Sequence, residues 1–429
     1  MTILNASPIL PRPHDQQTDV TTPAQGSVPD SFGKAPSRVE LFTPEVDCPD
    51  PEVSLVVPAL NEPITIALFV DWCREGLEKA GVPGEILIVD SSSDRTPEIA
   101  LAHGARVLRA PKRGLGRAYI DAFPFIRGKF IIMGDCDCTY DFRDIVPFLT
   151  AFRDDAEFVM GSRFKGTIDP GAMPLLHQYF GTPLTTWILN ILYGCRFSDI
   201  HCGMRGLTRE AYQKLGLQSQ KWEYASEMII KAVKLNLRTA EVPIHFLKDM
   251  EGRSSHLKAH WYAPWVAGWQ NLRVFFLFRP DFFLRQPGRV LVAFGALLVF
   301  GLAFGPVRVG GIELALYSQV LGLFLLALGT GFMGLDALTT LYLGFDKERC
   351  RRLQRFYDYD RAVPLSGLAV VAGTVLAGSF VLDWVHDRYQ IFHLSAGFVT
   401  GLGFVLLGVQ LFLQTLTVTL FRFGTSPDD

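Results

Sequence analysis

The chain has 429 residues, 49% of them hydrophobic and 12% aromatic, with only 20% charged, and its mean hydropathy is +0.22. These values exclude a disordered protein and argue against a wholly soluble enzyme. The 41 Lys and Arg against 43 Asp and Glu leave a net charge of −2, so no global field draws in nucleic acid or another polyanion. Seven cysteines without paired spacing do not make a disulfide scaffold, and a reducing compartment suits them. The sum is a membrane protein carrying a soluble part.

Residues 1–50 read as a disordered tail. Proline recurs at 8, 11, 13, 23, 29, 36, 44 and 49 among Gln, Thr, Ser and Asp, with no apolar period. Such a segment buries too little surface to offset the entropy of ordering it. It has no basic start followed by an apolar run, so it is not expected to act as a secretory signal.

From residue 53 to about 250 the pattern alternates. Val53–Pro58, Glu85–Asp90 and Lys129–Asp135 are short runs rich in Val and Ile, as buried strands require. Helix-length stretches lie between them at Ile64–Ala80, Asp94–His103 and Gly116–Arg127. This order predicts βαβ units on a mostly parallel sheet, with ligands at the carboxyl ends of the strands. Those ends carry Pro58-Ala-Leu-Asn-Glu62, Asp90-Ser-Ser-Ser-Asp94 and Asp135-Cys-Asp137.

Beyond residue 287 four apolar stretches follow, at 290–307, 314–343, 363–382 and 391–421. Each can supply the ~17–25 residues of a spanning helix, and frequent glycine suits close helix contacts in lipid. Asp336 interrupts the second. The connection after the second stretch holds Lys347, Arg349, Arg351, Arg352 and Arg355, whereas those after the first and third carry only Arg308 and Arg388. Since positive loops stay inside, both termini and the alternating domain are expected to face the cytoplasm from a multi-pass inner-membrane protein. Ahead of the spans, Trp261, Trp265 and Trp269 fall on one helical stripe, with Phe275, Phe276, Arg273, Arg279 and Arg285 after it. That composition fits an amphipathic helix in the headgroup layer, the alternative being a core stripe against the sheet. The expected domains are therefore a tail at 1–50, a catalytic domain at 51–257, interfacial helices at 258–287 and a four-helix membrane domain at 288–424.

Gly134-Asp135-Cys136-Asp137 is the best local chemical signal, because two carboxylates two residues apart past a strand end can hold a hard divalent cation and leave sites for diphosphate oxygens. Cys136 and Cys138 invite zinc, but no second Cys or His pair stands at suitable spacing. Lys112-Arg-Gly-Leu-Gly-Arg117 places cations and glycines at a helix start, which suits diphosphate without matching the dinucleotide or P-loop fingerprints.

Taken with Met160-Gly-Ser-Arg-Phe164, Asp199-Ile-His-Cys-Gly-Met-Arg-Gly206, Tyr224-Ala-Ser-Glu-Met228 and Glu241-Val-Pro-Ile244, these motifs resemble family-2 GT-A glycosyltransferases of the dolichol-phosphate-mannose-synthase-like branch. Gly166, Pro170-Gly-Ala-Met-Pro174 and Gly252-Arg-Ser-Ser-His-Leu257 resemble a multi-span prokaryotic subgroup. The resemblance covers about 53–285. It implies a GT-A, Rossmann-like α/β domain that moves a sugar from a nucleotide-sugar donor, UDP- or GDP-linked, onto a polyprenyl phosphate.

By that resemblance Pro58, Asn61 and Glu62 would line the nucleoside pocket, with Asp90 and Asp94 further along it. Asp135 would face the ribose or sugar, and Asp137, with Asp135 beside it, would hold Mg²⁺ or Mn²⁺. Lys112 and Arg113 would stand by the diphosphate. Arg163 and Arg205 would face the acceptor phosphate, a role suited to planar guanidinium forks. Two departures stand out. Thr139 occupies the place of a frequent additional ligand, which leaves Asp141 as a substitute. The late basic loop reads Lys248-Asp249 then Gly252-Arg253, so its cationic role would pass to Lys248 or Arg253. His201 and His256 could touch phosphate or serve as structural hydrogen-bonders.

The implied reaction is inverting and needs no dedicated base, since a phosphate monoester with a second pKa near ~6 is already largely dianionic at neutral pH. Competing readings are a transferase acting on a lipid hydroxyl, a processive polysaccharide synthase, and a non-catalytic scaffold or flippase that binds lipid phosphate. Gln270-Asn-Leu-Arg273-Val274 approaches the synthase motif but ends in Val. The spans would anchor the site at the membrane lipid and could support homo-oligomers.

Overall fold

The computed structural model describes residues 35–250, 279, 281–344, 346–386 and 395–425. The chain divides between residues 275 and 276 into two units.

The N-terminal unit is built on one eight-stranded sheet of order β1-β4-β3-β2-β5-β7-β6-β8. Its strands are β1 Glu40–Phe42, β2 Val53–Ala59, β3 Gly84–Asp90, β4 Arg106–Arg109, β5 Phe130–Met133, β6 Phe158–Ile168, β7 Arg205–Thr208 and β8 Thr239–Phe246. Strands β2 to β5 run parallel, and β6 pairs parallel with β8. Strand β7 lies antiparallel between β5 and β6. Val53, Leu55, Val56 and Val57 are all buried, as are Leu87 and Ile88. Unbroken apolar runs are what a sheet covered on both faces demands. The covering helices are α1 Ile66–Ala80, α2 Thr96–Ala102, α3 Leu115–Ala122, α4 Val146–Arg153, α5 Thr182–Tyr193, α6 Arg209–Leu215 and α7 Glu223–Lys234.

Part of the expected tail is folded. Strand β1 pairs antiparallel with β4, from Glu40 opposite Arg109 to Phe42 opposite Val107. Val39 and Phe42 are buried, and Asp47 accepts both terminal nitrogens of Arg127 at 2.9 and 2.8 Å. A short edge strand held by two apolar anchors and a forked ion pair needs no long hydrophobic period, so composition alone hid it. Residues 1–34 lie outside the described residues.

The C-terminal unit contains α8 Gln286–Gly301, α9 Leu316–Leu343, α10 Lys347–Phe356, α11 Tyr359–His386 and α12 Ala396–Thr425. Among the described residues, four segments are long and apolar enough to cross a membrane: Asp281–Phe304, Leu316–Leu343, Tyr359–Gly378 and Ala396–Leu420. The first starts earlier than the expected 290, because a wide turn at Asp281–Arg285 runs straight into α8. Its expected end at 307 falls instead in a hairpin of β9 Val307–Val309 and β10 Ile312–Leu314, where Arg308 pairs with Glu313 at 3.0 Å. The tryptophan stripe at 261–269 lies outside the described residues.

Glycines set the helix spacing. A Cβ on Gly295 would stand 2.7 Å from Leu326 N and 2.8 Å from Gly322 O, and one on Gly373 would stand 2.5 Å from Gly401 O. Backbone meets backbone there, the close approach that membrane helices use in place of a hydrophobic driving force. Asp336 is buried in α9, ion-paired with Arg349 of α10 and with Arg285 at 3.8 Å. The carboxylate that interrupts the second span therefore faces partners within the unit, as an intramembrane charge must.

Candidate active site

The carboxyl ends of β2, β3 and β5 meet on one edge of the sheet, and short hydrogen bonds stitch their loops together. Asn61 takes the left-handed conformation, φ 55°, which Asn tolerates because its short amide bonds locally. Its N–H donates to Ser92 Oγ at 2.7 Å, and its Oδ1 accepts from Ser93 N at 3.0 Å. Glu62 N donates to Thr96 Oγ1 at 2.9 Å, while Thr96 Oγ1 donates to Asp94 Oδ1 at 2.6 Å. Asn61 is exposed, Pro58 and Asp94 are partly exposed, and Glu62 is buried. The structure thus brings together the loops that carry the expected nucleoside-pocket residues.

Asp90 departs from that expectation. It is fully buried, with Oδ2 3.0 Å from Arg109 Nε and accepting from Ser92 N at 3.2 Å. Burial raises its pKa to about 6, against the opposing pull of Ser92 and Arg109. This carboxylate supports the loop from below. Arg109, its partner, had no signature in the sequence, since an arginine in an apolar strand is recognisable as a buried counter-ion only once the sheet is formed.

Past β5, Asp135 and Asp137 are both partly exposed. Asp137 Oδ1 accepts from Thr139 N at 3.0 Å and from Thr139 Oγ1 at 2.5 Å. Thr139 therefore orients the second carboxylate. Asp135 Oδ2 lies 2.7 Å from the place a Cβ on Gly203 would take, so the carboxylate packs directly on the Asp199–Gly206 segment. Asp141, the candidate substitute ligand, is committed elsewhere: Arg143 donates to its two oxygens at 2.7 and 2.8 Å. Burial would raise its pKa, but the Arg143 bonds prevail and hold it below the usual range. The neighbouring thiols bond to backbone, Cys136 to Pro58 O at 3.3 Å and Cys138 to Thr65 O at 3.7 Å. Among the described residues no three His, Cys, Asp or Glu side chains form a closed metal site. Two carboxylates at a strand end suit a hard cation completed by diphosphate oxygens and water.

The glycines of Lys112–Arg117 pack on the segment before α7. A Cβ on Gly114, φ 117°, would stand 2.4 Å from Gln220 O, and one on Gly116 would stand 2.2 Å from Ser219 O. Lys112 and Arg113 are exposed at the start of α3, with Arg113 donating to Asp121 at 2.7 Å.

The two arginines expected at the acceptor phosphate differ from each other. Arg163 is forked onto Asp199, Nε to Oδ2 at 2.7 Å and Nη2 to Oδ1 at 2.9 Å, with its guanidinium 5.2 Å from the Phe246 ring centre. Burial opposes its charge, yet the Asp199 bonds and nearby groups together outweigh burial and raise its pKa. Arg205 is a strut. It donates to Cys202 O at 2.9 Å, Ala225 O at 2.5 Å and Ile200 O at 3.1 Å, and is 4% exposed. The expectation that its fork faces a phosphate is corrected by this geometry, because each nitrogen already serves a carbonyl and the side chain is buried. His201 Nε2 lies 2.8 Å from Thr185 Oγ1, and burial pushes its pKa down to about 4, so it is a neutral hydrogen-bonder. Lys248 is exposed just after β8; Arg253 and His256 lie outside the described residues.

A family model described as glycosyl transferase family 2 matches residues 54–216. The low-salt glycan biosynthesis hexosyltransferase of Haloferax volcanii is 33% identical over 366 residues, covering 84% of this chain and 87% of that one. The chain belongs to glycosyltransferase family 2. A dolichyl-phosphate hexose transferase of the same organism is 31% identical over 162 residues, 38% of this chain and 69% of that one. Among solved structures, mannosyl-3-phosphoglycerate synthase from Rubrobacter xylanophilus aligns with a TM-score of 0.42 at 22% identity, over 56% of this chain and 76% of that one. This family 2 glycosyltransferase sits on the dolichol-phosphate-mannose-synthase-like branch. It combines a mostly parallel α/β sheet with, among the described residues, four candidate membrane spans.

Proposed function

We propose that this enzyme transfers a hexose, with inversion, from a nucleotide-diphospho-sugar to a polyprenyl phosphate at the cytoplasmic membrane face. The observation that carries the reading is the packing of Asp135 on Gly203, which puts the acidic strand end against the segment whose Asp199 latches Arg163. In this reading the carboxylates serve the donor and the guanidinium the acceptor, side by side at the sheet. The names of the relatives, a hexosyltransferase and a dolichyl-phosphate hexose transferase, agree in kind.

In this reading the loops of Asn61, Glu62 and Asp94 hold the nucleoside, above the buried Asp90. Asp137, oriented by Thr139 and with Asp135 beside it, would hold Mg²⁺ or Mn²⁺, which when bound neutralises diphosphate charge. Lys112 and Arg113 add positive charge at the α3 N-terminus. Arg163, whose Nε and Nη2 are engaged by Asp199, would meet the acceptor phosphate through its remaining Nη1 and its charge. An acceptor oxygen attacks the anomeric carbon from the face opposite the diphosphate. The new carbon–oxygen bond forms as the anomeric bond to the diphosphate breaks, and the electron pair leaves with the nucleoside diphosphate. No base is called for, because the attacking phosphate is already anionic. The basic connection at Lys347–Arg355, now seen as α10, supports a cytoplasmic orientation for both termini.

The test is transfer of labelled sugar into an organic phase. Full-length protein receives undecaprenyl phosphate, Mg²⁺ or Mn²⁺, and separately UDP-glucose, UDP-galactose, UDP-N-acetylglucosamine, UDP-glucuronate and GDP-mannose. A metal-dependent, mild-acid-labile product from one donor is expected. A sample that binds one nucleotide yet gives no product with any donor would move the acceptor to a lipid hydroxyl.

A further inference from the structure

Helix α5 is apolar on both sides. Thr182, Thr186, Leu189 and Tyr193 face the domain and are buried. About 180° around the axis, at 100° per residue, Leu184, Trp187 and Ile191 are exposed, with Trp187 and Ile191 each 60% exposed. The wide turn His177–Gly181 carries the same stripe backwards through Phe180 and Leu176, 61% and 64% exposed. A helix that is hydrophobic all round is ordinarily buried or in contact with lipid. A continuous apolar patch of this kind on a folded surface marks a contact site.

We propose that this face of α5 docks into the headgroup and upper acyl layer of the bilayer, and so holds the catalytic unit with its acceptor side against the membrane. Charge selects lipid as the occupant: no Asp, Glu, Lys or Arg occurs between Asp169 and Arg196. Exposed Arg196 follows the segment, placed to meet anionic headgroups, while Lys165 before it is paired with Glu241 at 2.6 Å. Exposed Trp187 and Tyr179 have the apolar body and polar tip that prefer this depth. The same chain carries four candidate spans, so a bilayer is tethered to every catalytic unit, whereas a soluble partner must be recruited.

The stripe is coupled to the site. From the opposite side of α5, Thr185 bonds His201 at 2.8 Å, and Asn190 clamps Phe197 through Nδ2 to O at 2.8 Å and N to Oδ1 at 3.0 Å. His201 N bonds Asp199, the latch of Arg163. A helix seated in lipid therefore fixes the height of Arg163 relative to phosphate headgroups, a consequence that rests on the proposed acceptor.

The experiment uses the full chain in nanodiscs of phosphatidylcholine and phosphatidylglycerol containing a lipid with a diazirine in its acyl chain. After photolysis, peptides are mapped by mass spectrometry. Label is expected on residues 175–191 as well as on the spans, falling about tenfold in a Phe180→Glu, Trp187→Glu double variant while span labelling holds. Labelled spans with an unlabelled 175–191 segment would overturn the proposal. So would cross-links joining that segment to residues 251–278 or to a second copy instead of lipid. In the activity arm, the double variant should lose about tenfold with undecaprenyl phosphate in bilayers and stay within about twofold with a short, water-soluble prenyl phosphate. Equal loss on both acceptors would overturn the docking role in transfer. If wild type uses neither acceptor, the proposed function fails, and the labelling result alone decides the docking.

Discussion

Arg163 and Asp199 face each other as two parallel forks, 2.7 and 2.9 Å apart, on elements 36 residues distant in sequence. Both side chains are buried, and Asp199 also accepts from the backbone N–H of Arg163 at 3.2 Å. Such a pair fixes the direction of a guanidinium more than it stabilises the fold, because desolvating both charges offsets most of their attraction.

The consequence for catalysis is asymmetric. Arg163→Lys keeps the charge but cannot hold both Asp199 and a phosphate, so KM for the acceptor phosphate should rise roughly 10- to 100-fold, the value of one charge-assisted hydrogen bond. KM for the donor should hold. Asp199→Ala, which strands a buried arginine, should instead destabilise the protein by about 3–5 kcal/mol. Steady-state kinetics with each substrate varied in turn, together with chemical denaturation, separate the two effects.

Asp137→Asn tests the second carboxylate without disturbing its turn. The Asn oxygen can still accept from Thr139 N and Oγ1, as Asp137 Oδ1 does. Stability should therefore stay within about 0.5 kcal/mol. Transfer should fall at least ~100-fold, since in the proposed assignment the lost charge helps hold the cation that neutralises the diphosphate. Wild-type turnover in this variant would remove Asp137 from the metal assignment.

His201 gives a pH dependence. Its pKa is lowered from the usual 6.5 to about 4, chiefly by burial. As pH falls through that window the unfolded chain takes up the proton first, so this component of stability is complete above about 6.5 and is lost towards 4. Asp90, raised from 3.8 to about 6, acts in the opposite sense, its protonation favouring the folded state. The diagnostic quantity is therefore a difference. The gap in melting temperature between wild type and His201→Gln should narrow or reverse between pH 7 and pH 4.5, as the buried imidazole ceases to resist protonation. A constant gap would mean that His201 is not buried neutral.

Glycine positions in the C-terminal unit divide into tight and open. Gly295→Ala would press a methyl onto Leu326 N and Gly322 O, backbone atoms that cannot swing away, while nothing lies within 4 Å of a Cβ on Gly331. The first should cost about 1–3 kcal/mol by forcing α8 and α9 apart, and Gly331→Ala should be neutral. Thermal melting of both variants in one detergent checks this.

Much of the protein was legible in its sequence, for reasons that are local. Unbroken Val and Ile runs placed β2, β3 and β5 within a residue or two, since a parallel strand buried on both faces has no choice of composition. Four apolar stretches gave the spans because lipid imposes a length, although the first lies earlier in the chain and ends before the hairpin at 307–314. The acidic strand ends stood out because the carboxyl edge of such a sheet is where polar groups gather. Other properties depended on partners distant in the chain. Asp90 reads as a pocket residue until Arg109 lies beside it in the sheet. Arg205 reads as a phosphate ligand until the carbonyls of Cys202, Ala225 and Ile200 close around it. Strand β1 has no period of its own and exists because β4 offers it an edge. The second apolar face of α5 is hidden in a one-dimensional reading, where its residues blend with those of the buried face. Composition and period fix what a segment must bury, but only the packed structure decides which charges are consumed inside the fold and which surfaces remain to meet a ligand or a membrane.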